Sequence, residues 1–273
     1  MTAAPATLAA GERVLLVDAR DRRYLLMLQE GSTFHTHAGT LAHDDVIGAN
    51  EGAYVWTATG KRFLALRPTL ADRILKMPRG AQVIYPKDIA QILMVADIAP
   101  GMRVLEAGVG SGALSMAMLR AGALVVGCEL RREFAVVARA NVASLLGETA
   151  AYEVHERDVY EGIPDGGFDR VVFDLPEPWR VLPHVAGALR PGGILVAYLP
   201  TINQTAELRH ALREGPFAGA ETFEVLVRTW HVEGRSVRPD HRMVAHTGFV
   251  THARMRDTQQ RGQAPGGCVS PVR

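Results

Sequence analysis

Apolar and polar positions alternate in short runs over the first quarter of the chain. Arg13–Val17, Tyr24–Gln29, Thr33–His37, Ala53–Thr57 and Arg62–Leu66 each carry the two-residue period of a strand, and turn residues separate them. The pattern predicts a small all-β domain over residues 11–66. Residues 67–85 read as a linker with one short helix, Thr69 to Lys76, ended by the breakers Pro78 and Gly80. From Pro86 the period lengthens. Asp88–Ile98 has a helical apolar stripe that stops at Pro100-Gly101. Strands at Arg103–Glu106, Leu124–Glu129, Tyr152–His155, Phe168–Phe173 and Ile194–Leu199 then alternate with helices at Ala113–Ala121, Arg132–Leu146, Trp179–Leu189 and Thr201–Arg213. That alternation predicts an α/β fold with a doubly wound, Rossmann-like sheet over residues 86–256. Two late apolar runs, Glu224–Trp230 and Thr247–Met255, have no helix between them and predict an antiparallel pair at the sheet edge. The Ala/Thr/Pro-rich residues 1–10 and the polar, Gly- and Pro-containing residues 257–273 are expected to be flexible.

Composition narrows the class. Of 273 residues, 48% are apolar and 22% charged, the balance of a globular domain in water. No run of 18 uninterrupted apolar residues exists, so no membrane span is expected, and Met1–Ala10 lacks the basic and apolar regions of a signal peptide. The two cysteines, Cys128 in an apolar run and Cys268 in the polar tail, make a poor disulfide pair and suit a reducing cytoplasm. Net charge is only +1, yet Lys61–Lys87 holds seven basic residues and one acid. Arg73, Lys76 and Arg79 in that stretch are candidates for neutralising phosphates, and a solvated face explains the same composition equally well.

The first strand of the second domain runs into Glu106-Ala107-Gly108-Val109-Gly110-Ser111-Gly112-Ala113. Such a loop lets a ligand approach the backbone, and the following helix presents free N–H groups. The spacing Gly108, Gly110, Ala113 also satisfies a dinucleotide fingerprint. Glu106 separates the two readings, because its charge suits a ligand ammonium and repels a pyrophosphate. Glu129, 23 residues on, ends the next strand where an acid meets ribose hydroxyls, and Asp158 follows the third strand within reach of an adenine amino group. The fourth strand ends in Asp174-Leu175-Pro176-Glu177-Pro178-Trp179. A carboxylate there can accept from the exocyclic amine of an aromatic ring, and Trp179 offers a stacking surface. Helix capping by Asp174 is compatible with the same residues. Tyr85, held extended by Pro86, either lines that pocket or belongs to the core. His35 and His37 alternate without further ligands at a metal-binding spacing, so no metal is expected.

Asp174–Trp179, Ile84-Tyr85-Pro86-Lys87-Asp88, Val104–Gly108 and the C-terminal Trp230, Arg238-Pro239, His246-Thr247 and Gly248-Phe249 together resemble the bacterial and archaeal tRNA adenine-58 N1-methyltransferase family, over roughly residues 10–256. The resemblance implies a class I S-adenosylmethionine-dependent methyltransferase with a seven-stranded sheet, acting in the cytoplasm on tRNA. It implies a homotetramer, a β domain that helps hold tRNA, and a flipped adenosine in a pocket carrying Asp174 and Tyr85. Glu106, Gly108, Gly110, Ser111, Gly112, Ala113, Glu129, Asp158 and Asp174 are the expected cofactor contacts. Phe134 stands where relatives often carry His or Arg. A methyltransferase of the same fold acting on another RNA, a small molecule or a protein carboxylate is the alternative reading.

Overall fold

The computed structural model describes residues 6–37, 39–80 and 82–258, so the expectations for residues 1–5 and for 259–273, Cys268 included, lie outside them. The chain forms two compact units, residues 1–77 and 78–273.

The first unit is built on an antiparallel sheet of β1 (Arg13–Asp18), β2 (Arg23–Met27), β5 (Tyr54–Trp56) and β6 (Arg62–Leu66), in the order β2-β1-β6-β5. A hairpin of β3 (Thr33–Thr36) and β4 (Gly39–Ala42) accompanies it. Alternation puts Val14 and Leu16 of β1, Val55 of β5 and Phe63 and Ala65 of β6 in one core with Leu28, Leu41 and Val46. Two expectations change here. Residues 6–10 are not all free, because Leu8 is buried in that core and its N–H donates to the Ala49 carbonyl at 2.8 Å. The 67–85 stretch is not one linker. Its helix α1 (Leu70–Lys76) starts at a capping box between Thr69 and Asp72, and Asp72 also pairs with Arg23 of β2 at 2.8 Å. That segment belongs to the first unit, and residues 78–85 belong to the second.

The second unit opens with α2 (Pro86–Val95), whose first turn takes Pro86 without losing a hydrogen bond. It continues as β7 (Arg103–Ala107), α3 (Ala113–Arg120), β8 (Leu124–Glu129), α4 (Arg132–Leu146), β9 (Tyr152–Glu156), β10 (Phe168–Phe173), α5 (Leu182–Ala188), β11 (Leu189–Leu199), α6 (Ile202–Glu214) and β12 (Phe217–Glu224). A hairpin of β13 (Trp230–Glu233) and β14 (Ser236–Pro239) follows, and then β15 (Phe249–Met255). The sheet order is β12-β15-β11-β10-β7-β8-β9, parallel from β11 to β9, with β15 antiparallel to both its neighbours. The edge pair is therefore real but displaced. Its outer strand is Phe217–Glu224 rather than Glu224–Trp230, and Trp230 opens the separate hairpin. Gly219, at φ +61°, makes a bulge that breaks the alternation of β12, whereas the apolar Leu226 and Val227 after it are exposed.

Candidate active site

The parallel strands β10, β7, β8 and β9 lie side by side, so their carboxyl ends bring Asp174, Glu106, Glu129 and Asp158 to one edge of the sheet. Hydrogen bonds fix each position. The Asp174 N–H donates to the Ala107 carbonyl at 2.9 Å. Glu129 accepts from the Gly110 N–H at 2.9 Å with one oxygen and from the Arg131 N–H at 3.0 Å with the other, which ties the glycine loop to the end of β8. Asp158 accepts from the Tyr160 N–H at 2.9 Å and holds its own turn. Glu106 is buried and accepts from the Ser115 hydroxyl, which in turn accepts from Tyr152 at 3.1 Å.

The electrostatics of this edge are uneven. Burial pushes the Glu106 carboxyl up to about 8, against the Ser115 hydrogen bond and with the help of the Asp174 and Glu129 charges. Burial, and then the Glu129 charge, push Asp174 up to about 7. Four carboxyl groups thus share one edge, and the one cationic side chain within ion-pair reach of them is Arg131, 3.7 Å from Glu129, among the described residues. Such a site is short of positive charge and favours a cationic ligand. The Ser111 hydroxyl is buried with no hydrogen-bond partner among the described residues, a donor left for a ligand. An ammonium against Glu106, an acceptor for Ser111 and hydroxyls for Glu129 match an aminoacyl sulfonium nucleoside and not a dinucleotide.

Two cavities meet at Asp174. A narrow cleft of about 20 Å³ is lined by Glu106, Gly108, Gly110, Ser111, Ala113 and Asp174, with Gln82, Val83 and Ile84 among its other walls. A larger cavity of about 400 Å³ is lined by Asp174, Tyr85, Tyr198, Pro200, His246 and Thr247, and shares Gln82–Ile84 with the cleft. Tyr85 is thus a pocket residue. Glu129, Asp158 and Gly112 line neither cavity. Trp179 also lines neither cavity; it packs against the hydrophobic core beside Leu175. Arg73 is half-buried on α1 and Lys76 is exposed there, and Arg79 is exposed in the second unit; none lines either cavity.

Further walls of the larger cavity, and the bonds that hold them, come from residues to which the sequence assigns no site role. Asp88, fully buried on α2, accepts from Lys87 at 2.9 Å and from the Thr247 hydroxyl at 2.6 Å, and Lys87 also donates to the Val225 carbonyl at 2.7 Å. This buried pair ties the first turn of α2, next to Tyr85, to Thr247, which lines the same cavity. Burial pushes the Tyr198 hydroxyl up to about 12. Both ring nitrogens of His246 face acceptors, Glu224 at 3.0 Å and the Pro200 carbonyl at 2.9 Å, which hold its pKa above the ordinary value and favour the imidazolium.

The seven-stranded sheet with one antiparallel strand, the glycine loop and the carboxylate edge define a class I, S-adenosylmethionine-dependent methyltransferase. Residues 63–263 match the family described as "tRNA methyltransferase complex GCD14 subunit", and residues 7–55 match "TrmI-like N-terminal". The chain belongs to this tRNA methyltransferase family. It is 38% identical to the tRNA (adenine(58)-N(1))-methyltransferase TrmI of Thermus thermophilus over 245 residues, covering 88% of this chain and 96% of the relative. It is 34% identical to the tRNA (adenine(57)-N(1)/adenine(58)-N(1))-methyltransferase TrmI of Methanocaldococcus jannaschii, covering 88% and 94%. Among solved structures, a Thermotoga maritima protein described as a SAM-dependent O-methyltransferase superposes with a TM-score of 0.88 at 34% identity over 92% of this chain and 96% of that one. The tRNA (m1A58) methyltransferase TrmI of Aquifex aeolicus gives 0.83 at 30% identity over 92% and 100%.

Proposed function

We propose that this chain transfers the methyl group of S-adenosylmethionine to N1 of adenine 58 in the T-loop of tRNA. One observation carries the reading: a base-sized cavity bearing Asp174 and Tyr85 shares Asp174 as a wall with the carboxylate-lined cleft. The cofactor supplies a methyl group on a positively charged sulfur, which keeps the C–S electron pair when the methyl leaves. Glu106 takes the ammonium, Ser111 donates to the carboxylate, and Glu129 and Asp158 hold the nucleoside. The cleft is small beside ordinary ligand pockets of about 300–1,000 Å³, so cofactor entry requires it to widen.

Adenine must leave its stack for N1 to reach the methyl. Its N1 lone pair needs no base to remove a proton. It needs orientation, which Asp174 gives by accepting from the N6 amine, and compensation for the charge that appears on the ring. Tyr85 lies on the wall where it can stack on the base. Acceptors that must lose a proton, such as the oxygen nucleophiles of an O-methyltransferase, would call for a general base. Incubation of the protein with labelled methyl donor and an unmodified tRNA transcript, followed by nuclease digestion and mass spectrometry, is expected to give 1-methyladenosine at position 58. A methylated oxygen, or no product on tRNA, would transfer the chain to the alternative class.

The same reading makes the active species a homotetramer working in the cytoplasm. Leu226, Val227, Trp230, Val232 and Val237, at and beside the β13–β14 hairpin, are all at least 47% exposed, an apolar surface suited to a partner copy. Light scattering is expected to give about four times the 29.6 kDa chain mass. No described helix is long and apolar enough to cross a membrane.

Glu106 gives the cofactor reading a pH signature. Its folded pKa lies near 8, so below that pH the free site holds a proton. A cationic ammonium beside it favours the ionised form, and binding must expel that proton. Cofactor affinity is therefore expected to rise with pH and to level off above about 8. Calorimetry at pH 7 in buffers of different ionisation enthalpy should register up to one proton released, and Glu106→Gln should bind weakly with little pH dependence. Equal affinity at pH 6 and pH 9 in the wild type would remove Glu106 from the ammonium site.

A further inference from the structure

A chain of hydrogen bonds runs through the interior to the carboxylate of Glu106. The Tyr152 hydroxyl donates to the Ser115 hydroxyl at 3.1 Å, and Ser115 donates to Oε2 of Glu106. The three side chains come from β9, α3 and β7. The sheet sets the two ends of the chain on one face. Glu106 is in register with Gly127, and Gly127 with Val154; Tyr152, two residues before Val154, points the same way. The residue between Glu106 and Val154 on that face is thus a glycine. Ser115 meets both ends from α3, with no exposure to solvent, and Glu106 is 1% exposed. Neither Ser115 nor Tyr152 lines the cofactor cleft.

A serine hydroxyl has one hydrogen to give. Within a helix it often goes to the carbonyl four residues back. Here that carbonyl, of Ser111, accepts from the Asn141 amide at 3.0 Å, and the Ser115 hydrogen goes to the carboxylate instead. Tyr152 occupies the Ser115 oxygen from behind and polarises its O–H toward Glu106. Burial, and then the Glu106 charge, hold the Tyr152 hydroxyl well above the ordinary range, so it stays a donor. The other groups around Glu106 give it no such support. The charges of Asp174 on the β10 end and Glu129 on β8 oppose its ionisation, and Cys128 on β8 is kept a thiol by burial. Arg131, the cation of this edge, pairs with Glu129.

We propose that Ser115 and Tyr152 are positioning residues for the cofactor, which favour the ionised carboxylate of Glu106 and turn its charge toward the cleft. The proposal rests on Glu106 taking the cofactor's ammonium, and it assigns that carboxylate a support the cofactor does not touch. Bonding of Oε2 to Ser115 leaves Oε1 to meet the ammonium. The role has a sign. Without the Ser115 hydrogen the ionised form of Glu106 is harder to reach, so the loss of affinity is largest at low pH, where Glu106 must give up a proton to bind, and fades as pH rises. Residues that only pack the cleft would weaken binding equally at every pH.

The test is calorimetric binding of S-adenosylhomocysteine, the demethylated product that keeps the ammonium, to the full-length protein between pH 6 and pH 9. Titration of the ligand's own ammonium divides out when variant and wild type are compared at one pH. Ser115→Ala should bind about ten-fold more weakly than wild type at pH 6 and only about two-fold more weakly at pH 9, the pattern of a lost hydrogen bond to a charged group. Ser115→Cys keeps the volume with a weak donor and should follow alanine. Tyr152→Phe keeps the ring and should show the same narrowing from about two- to three-fold at pH 6, the scale of one polarising bond. It decides by the same criterion should Ser115→Ala fail to fold. On a Glu106→Gln background, Ser115→Ala should add no pH-dependent loss, because it acts through that carboxylate. A loss that is equal at pH 6 and pH 9, or wild-type affinity throughout, would overturn the proposal, and a wild type whose affinity rises with pH would still keep Glu106 at the ammonium. A wild type whose affinity is flat with pH would remove Glu106 from the ammonium site and the support of Ser115 and Tyr152 with it.

Discussion

Exchange of Asp174 for alanine is expected to slow single-turnover methylation of saturating tRNA by about thirty- to a thousand-fold, the range for a positioned electrostatic group worth about 2–4 kcal/mol. The side chain stands at the junction of the two cavities, where the base and the methyl must meet. Its backbone N–H, bonded to the Ala107 carbonyl, survives the substitution, so the change removes the carboxylate and leaves the strand end in place. Asp174→Asn keeps the shape and one acceptor without the charge and should fall between alanine and wild type. The same carboxylate predicts an acid limb. Its pKa of about 7 means that the active, ionised form grows as pH rises through that value, so kcat/KM for tRNA should rise with it. A cationic cofactor moves the limb to lower pH, and the asparagine variant should lack it. Wild-type rates in the alanine variant would reduce Asp174 to a turn residue.

Much of this architecture is legible in the sequence. The strands Leu124–Glu129 and Phe168–Phe173 and the helix Arg132–Leu146 have the bounds that their apolar periods predict. The glycine loop and the carboxylates at the ends of β7, β8 and β10 are local motifs, and a parallel sheet forces such motifs onto one edge. What escapes is long-range. Leu8 is a single apolar residue in an Ala-rich stretch, and only the folded core shows that it is an anchor. The run after Glu224 is apolar enough to pass for a strand, yet it is exposed. Trp179 follows a catalytic-looking motif, but its ring turns to the core. Charge counting over Lys61–Lys87 overlooks acids far along the chain, such as Glu12, 55 residues from its partner Arg67. His246 and Thr247 reach the pocket from the segment before β15, and no spacing relates them to Asp174.

Gly108 shows the same distinction most sharply, and its replacement is the second large effect expected. In sequence the residue reads as a place for a ligand to approach the backbone. In the structure it has φ +82°, and a β-carbon built on it would lie 2.1 Å from the carbonyl oxygen of Asp174 and 2.9 Å from its carbonyl carbon. Both obstacles are backbone and neither can rotate away. The strands behind them are locked in register, Val172 beside Glu106 and Phe173 beside Ala107, with the Asp174 N–H bonded to the Ala107 carbonyl. A methyl group at Gly108 must therefore pry apart the ends of β7 and β10, which moves the Glu106 loop and the Asp174 side chain together. A shift of about 1 Å in a reacting group costs about a hundred-fold in rate, so Gly108→Ala should lose at least that in turnover and should also weaken cofactor binding. Gly110 supplies the control. It too has a positive φ, +55°, but a β-carbon there meets nothing within 4 Å. Gly110→Ala should leave the strand ends in place, carrying the backbone strain of a non-glycine residue at positive φ, about 1–3 kcal/mol, and weakening cofactor binding only through the cleft wall that Gly110 lines. Thermal unfolding, cofactor calorimetry and single-turnover methylation of both variants separate the causes. Equal losses in the two would mean that positive φ alone matters, and wild-type behaviour of Gly108→Ala would mean that the strand ends part without cost, so that cofactor loop and catalytic carboxylate are not coupled through this contact.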